Sequence, residues 1–263
     1  MGGRNNESKG STIMEERRNA IAELINHSGS VTFRQIKQEF PNVSEMTLRT
    51  DLKALDAEGR IVRIHGGARS VEQVIGTDGV LSVRASKNTE AKDLIASKAL
   101  SLIKPNTTVF LDSGSTTTAL AAHIPDERLI IFTTGLSCAV ELGRLERANV
   151  NLPGGQLNRY SMSISGSRTI QALQTMTFDQ LFLGVTGYTE ATGFACGSDE
   201  EANLKRACIN RSNEVILLMD SSKVGARSTF SFCGLDSVDI IVSDGNLPDT
   251  FVKRCRNAGV EVL

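Results

Sequence analysis

From Thr89 to the C-terminus, short apolar runs alternate with amphipathic segments, and that alternation restricts the fold more than any other feature of the 263-residue chain. The runs "TTVFLD", "LIIFTT", "ANVNLPGG", "QLFLGV", "EVILLMD" and "DIIVSD" read as strands. Between and around them lie "TEAKDLIASKALSLI", helices starting at Thr116 and Gly135, "DEEANLKRACINR" and a last helix near residues 248–257. Strands buried on both faces and linked by helices form a mostly parallel sheet, and such sheets bind ligands beyond the carboxyl ends of their strands. Residues 89–263 are therefore expected to form a Rossmann-like, mostly parallel α/β domain.

The loops at the strand ends identify the candidate site. The first strand runs into "DSGSTTT", the second into "TTGLS", the third into "LPGGQLN", the fourth into "GVTGY" and the fifth into "MDSSKVG". Turn geometry explains any one such loop; all of them on one sheet edge indicate a pocket for a polar small molecule, with backbone N–H groups and hydroxyls as donors. The predicted contacts are Asp112, Ser113, Gly114, Ser115, Thr116 and Thr117 from the first loop, and Thr134, Gly135, Gly154, Gly155 and Gly184 from the next three. Ser113 to Thr117 at a helix N-terminus suit an anion, whereas Asp112 suits a sugar hydroxyl or the loop backbone. Glu201 and Lys205, four apart on a helix, and Asp220 and Lys223, around the fifth strand end, complete the set; the lysines suit a phosphate and the carboxylates suit hydroxyls. The first loop lacks the Gly-Lys-Ser/Thr ending of a nucleotide P-loop, and no GxSxG elbow is present.

The front of the chain is different. "MEERRNAIAELINHSG" is one amphipathic helix, "TFRQIKQEFP" a second with Thr32 as cap, and "SEMTLRTDLKALDAEGR" a third with Ser44 as cap. Two helices joined by a tight link, with "RIVRIHGGARSV" after them as a hairpin, make a winged helix-turn-helix, expected over residues 14–70. Ser44, Glu45, Thr47, Arg49, Thr50 and Lys53 on the third helix and Arg63 and His65 on the wing are the candidate DNA contacts. Residues 1–69 hold 11 Lys and Arg against 9 Asp and Glu, leaving 18 against 21 for the rest, an asymmetry of the right sign and small size. Residues 1–13 are expected to be a disordered arm, with Met14 as an alternative start, and residues 71–88 a linker.

The five cysteines lack CxxC spacing and the three histidines form no helical pair, so neither disulfides, a metal nor a cofactor is expected. No apolar run reaches membrane-spanning length, and the chain is expected to be soluble and cytoplasmic.

"VSEMTLRTDLKALDAEGRIVRIHGGA", "LDSGSTT", "LPGGQLN", "EEANLKRA" and "DSSKVG" closely resemble the successive motifs of the DeoR family of bacterial transcriptional regulators. Thr50 departs from the second basic residue usual there. The resemblance implies a winged helix ahead of a sugar-phosphate-sensing domain similar to ribose-5-phosphate isomerase, a DNA operator and a phosphorylated sugar as partners, repression as the expected sign, and, as helix-turn-helix proteins commonly read paired half-sites, a homo-oligomer. A sugar-phosphate isomerase with an accessory front module is the alternative, with Glu201, Asp220 and Asp112 as its available carboxylates. Against it, "GVTGYTEATGFACG" lacks the acidic, glycine-rich catalytic stretch of the isomerases.

Overall fold

The computed structural model describes residues 4–71 and 81–263. The chain divides into two compact units, Met1–Gly79 and Val80–Leu263.

The smaller unit begins with α1 (Arg4–Ser28), which takes in residues 4–13. That stretch is helical rather than the expected disordered arm; it contains no proline, and a helix once nucleated gains a hydrogen bond per added residue. Ile21, Ala22 and Ile25 of α1 are buried against Ile36, Leu48, Leu52 and Leu55 of α2 (Phe33–Glu39) and α3 (Glu45–Ala57). Thr32 starts α2 through a reciprocal capping box with Gln35. The wing is a three-stranded antiparallel sheet, β1 (Ser30–Thr32), β2 (Val62–Ile64) and β3 (Gly67–Arg69), with β3 in the middle. β1 is not anticipated from the sequence, because three residues with one buried side chain show no period. A Cβ on Gly67 would lie 2.2 Å from the Val31 carbonyl oxygen, so only glycine lets β1 close on β3.

The larger unit carries seven parallel strands: β4 (Thr108–Leu111), β5 (Ile130–Thr133), β6 (Asn149–Asn151), β9 (Gln180–Gly184), β12 (Val215–Leu218), β14 (Ile240–Val242) and β15 (Glu261–Val262). Their spatial order is β15-β14-β12-β9-β4-β5-β6. Side chains alternate between two cores. Phe110, Leu181, Leu183 and Leu217 enter one, and Val109, Leu111, Phe182, Ile216 and Leu218 the other. The chain starts at β4, builds outward to β5 and β6, then crosses back to β9 on the other side of β4. The sheet's topological switch point thus lies between the carboxyl ends of β4 and β9, where Asp112 and Gly184 sit.

Several other elements are not anticipated either. A hairpin, β7 (Gln156–Asn158) and β8 (Ser163–Ser165), comes after β6, and α8 (Ser167–Leu173) comes after the hairpin. A small antiparallel sheet is made of β10 (Gly187–Thr189), β11 (Gly193–Cys196) and β13 (Phe230–Cys233). Of the expected linker, residues 72–80 lie outside the described residues. Its second half contains the helix α4 (Leu81–Ala85), which belongs to the larger unit because Leu81 is buried and its N–H donates to the Tyr160 carbonyl at 2.9 Å.

Candidate functional site

On the smaller unit, Ser44 and Thr47 are spent on starting α3. The Ser44 Oγ accepts from the Thr47 N–H at 3.1 Å and lies 2.8 Å from the Thr47 hydroxyl. Glu45 and Arg49 pair at 3.8 Å across one turn, and the Arg49 guanidinium stands 4.2 Å from the Phe33 ring centroid, which fixes its direction without burying it. The Thr50 hydroxyl donates to the Met46 carbonyl at 2.9 Å. Lys53, Arg63 and His65 are exposed, and the Arg63 N–H donates to Asp56, tying the wing to the end of α3. Other cations face inward. Arg17 and Arg18 donate to the two oxygens of buried Asp51 at 2.6 and 3.1 Å, which locks α1 to α3 and raises the Arg17 pKa. The weak net charge therefore conceals a sorting, with Arg17 and Arg18 half-buried on Asp51 and Arg34, Arg49, Lys53, Arg63 and Arg69 exposed.

In the larger unit, α9 (Asp199–Ile209) and the switch point meet at one buried ion cluster. The Asp112 Oδ2 accepts from the Gly184 N–H at 3.0 Å and from Lys205 Nζ. Lys205 Nζ also donates to the Gly184 carbonyl at 2.8 Å and pairs with Glu201 at 3.1 Å. Burial pulls the Lys205 pKa down, but the carboxylates of Asp112 and Glu201 outweigh it and hold it well above the usual lysine range. Lys205 is thus neutralised in place and not available as the phosphate cation expected of it. The other oxygen of Asp112, Oδ1, is buried with no hydrogen-bond partner among the described residues.

The first loop is sorted similarly. α6 (Ser115–His123) starts after Gly114, and the hydroxyls of Thr117 and Thr118 both return to the Gly114 carbonyl, at 3.0 and 2.6 Å. Thr117 is fully buried, so of the predicted cradle Ser113, Ser115 and Thr116 remain partly accessible. A Cβ on Gly135 would stand 3.0 Å from the Ser113 Cα, which brings the second loop against the first. Thr134 is buried and its carbonyl accepts from the Ile164 N–H of the hairpin at 2.8 Å. Gly154 and Gly155 make their contacts elsewhere: the Gly154 carbonyl accepts from Thr169 of α8 at 2.7 Å, and a Cβ on Gly155 would lie 2.1 Å from that hydroxyl oxygen. Their role is the turn into the hairpin. The hairpin spans the neighbourhood, since the Leu136 N–H donates to Met162 at the start of α7 (Leu136–Leu142), and Ser165 donates to Glu200 of α9 at 2.8 Å.

Asp220 is also engaged, accepting from the Ser222 N–H at 3.0 Å and from Asn88 at 3.4 Å, while Lys223 is half-buried in the adjoining turn. Beside them stands Lys92 of α5 (Thr89–Leu100), which sequence reasoning missed. It is buried, donates to the Arg84 and Lys87 carbonyls, and lines a cavity of about 130 Å³ with Ser115, Thr118 and Ser137. Burial lowers its pKa; Asp220 opposes the shift and Lys223 adds to it. The signal was present: Lys92 shares the helical face of Ile95, Ala96 and Ala99, where a lysine is out of place.

Among the described residues no group of His, Cys, Asp or Glu is arranged to hold a metal, and no helix is long and apolar enough to cross a membrane. The cysteines form no disulfide, and burial pushes the Cys233 thiol up to about 12 and that of Cys255 to about 11.

Residues 17–74 match the DeoR-like helix-turn-helix domain, and residues 87–245 match the DeoR C terminal sensor domain. The chain belongs to the DeoR family. It is similar to the HTH-type transcriptional regulator GolR of Listeria innocua, 31% identical over 94% of this chain and 97% of that one. It is 32% identical to the lactose phosphotransferase system repressor of Staphylococcus epidermidis, over 94% and 98% of the two chains. Among solved structures, ribose 5-phosphate isomerase A of Methanocaldococcus jannaschii is similar at a TM-score of 0.39 and 16% identity, over 52% of this chain and 55% of that one. The DeoR-family chain is accordingly a DNA-binding transcription regulator whose larger unit senses rather than catalyses.

Proposed function

We propose that the sensor unit binds a phosphorylated sugar at the carboxyl ends of β4, β5, β9 and β12, and that binding releases the regulator from its operator as a repressor. The observation that carries this reading is the unpartnered Oδ1 of Asp112 at the switch point. A buried acceptor left unpaired costs about 1–3 kcal/mol, and a ligand hydroxyl in that position removes the cost. Ser113, Ser115 and Thr116 at the start of α6, with Lys92 and Lys223 nearby, supply donors and positive charge for the phosphate end. Glu201, Lys205, Thr134, Gly135, Gly184 and Asp220 shape the pocket rather than touch the phosphate. The name of the Staphylococcus relative points to the same ligand class, since a phosphotransferase system delivers phosphorylated sugars. We place the regulator in the cytoplasm, acting there as a homo-oligomer on paired half-sites.

Thermal unfolding across a panel of sugars and sugar phosphates tests the reading. Phosphorylated sugars are expected to raise the melting temperature where their unphosphorylated parents do not. The effective compound should also lower operator affinity at least tenfold, which needs about 1.4 kcal/mol of coupling. Equal shifts from a sugar and its phosphate would refute the phosphate end.

A further inference from the structure

The outward face of α3 is not uniformly polar. Met46, in its first turn, is 80% exposed, more than any other large apolar side chain among the described residues. Thr50 lies one turn further on the same face, and because its hydroxyl donates to the Met46 carbonyl, its methyl is the part left to meet a partner. The polar neighbours are already directed: Arg49 is held by Glu45 and by the Phe33 ring. A lone exposed apolar residue on a surface ordinarily needs no explanation. Met46 differs by its position, because the first residues of the second helix in a helix-turn-helix are those that reach base edges in the major groove. That groove offers one apolar feature, the C5-methyl of thymine. Its surroundings suit DNA, with Arg34, Arg49, Lys53 and Arg63 of the same unit exposed.

We infer that Met46, with the Thr50 methyl beside it, reads a thymine methyl group in the operator half-site. Part of this regulator's sequence preference then comes from an apolar contact rather than from a charged fork on guanine. The inference rests on α3 being the groove-reading helix.

The test uses the full-length protein and duplexes enriched from a random pool. Each thymine of a half-site is replaced in turn by deoxyuridine, which deletes only the methyl, and affinity is read by fluorescence anisotropy at fixed salt. At one or two positions the wild-type protein should lose about fourfold, the equivalent of about 0.8 kcal/mol for one buried methyl-sized group. Met46→Ala should lose a similar factor on the unmodified duplex and nothing further on the deoxyuridine duplex, whereas Met46→Leu should keep most of the discrimination. The slope of affinity against salt should stay unchanged, since no phosphate contact is removed. Wild-type indifference to every deoxyuridine, or an undiminished uracil penalty in Met46→Ala, overturns the inference while leaving specific DNA binding intact. A Met46→Ala protein whose sedimentation changes while its duplex affinity does not overturns it too, because the side chain then covers a protein surface. Failure to prefer any duplex over random DNA overturns the groove-reading role of α3 and this inference together.

Discussion

Asp51 in the smaller unit and Asp112 in the larger are both buried carboxylates gripped by cations, yet only Asp51 has both oxygens satisfied. Arg17 takes one oxygen of Asp51 and Arg18 the other, each donating through Nε, and the result is a closed brace between α1 and α3. Asp112 puts Lys205 and the Gly184 N–H on the same oxygen and leaves the other without a partner among the described residues. Folding alone would favour saturating both, because an unpaired buried acceptor is costly. On the proposed reading the unfinished carboxylate belongs to the effector site, whereas the finished one belongs to the scaffold. The comparison is open to attack from either side.

The largest effect is expected from Lys205→Met. It leaves Asp112 as a buried carboxylate without a cation, and breaking such a pair from one side costs about 3–5 kcal/mol. Both tyrosines, Tyr160 and Tyr188, lie in the larger unit and the chain has no tryptophan, so tyrosine fluorescence during urea unfolding reports this unit alone. An unchanged midpoint would mean that the cluster does not hold the switch point together.

Asp51→Asn should cost less, about 2 kcal/mol, because Arg17 and Arg18 remain partly in water and can be resolvated. Its signature is separation: operator affinity falls while the tyrosine-monitored midpoint and the response to the sugar phosphate stay where they were. Movement of both readouts would refute the idea that this brace is local to the smaller unit.

Asp112→Asn sharpens the contrast. Lys205 keeps Glu201 and the Gly184 carbonyl, so the loss of stability should be smaller than in Lys205→Met. Effector affinity should nevertheless drop about tenfold, since the acceptor that a ligand hydroxyl would use is exchanged or turned away. Calorimetric titration with the compound found in the panel measures it, and full retention of affinity would remove Asp112 from the site.

The central strands around this candidate site were legible in the sequence because runs such as "TTVFLD" and "QLFLGV" are short and apolar and end in Gly-, Ser- or Thr-rich loops. The hairpin over the site was not legible, since β7 and β8 are three residues each and Gln156 and Leu157 point to solvent. Loop composition gathered the candidate residues at one edge of the sheet but did not give the partnerships among them. Glu201 and Lys205 at i,i+4 look like a surface pair, and spacing carries no information about burial or about Asp112, 93 positions away. Lys92 was hidden by the opposite fault, a charged residue on an apolar face that reads as noise until the fold shows what it caps.

The smallest predicted effect separates the two buried lysines by pH. Lys205 has a folded pKa above its unfolded value of about 10.4, so its stabilisation is complete below that value and is lost only as the pH rises through the folded one. The gap in urea midpoint between wild type and Lys205→Met should therefore be constant from about pH 6 to 9. Lys92 is shifted the other way, mainly by burial. Its burial cost applies in full below its folded pKa and is relieved as the pH climbs toward about 10.4, so the larger unit should gain slightly in stability on the alkaline side. Lys92→Met should abolish that gain and leave the Lys205 gap untouched. An alkaline gain that persists in Lys92→Met would assign it to another group and remove the evidence that Lys92 carries a burial cost an anion in the pocket would compensate.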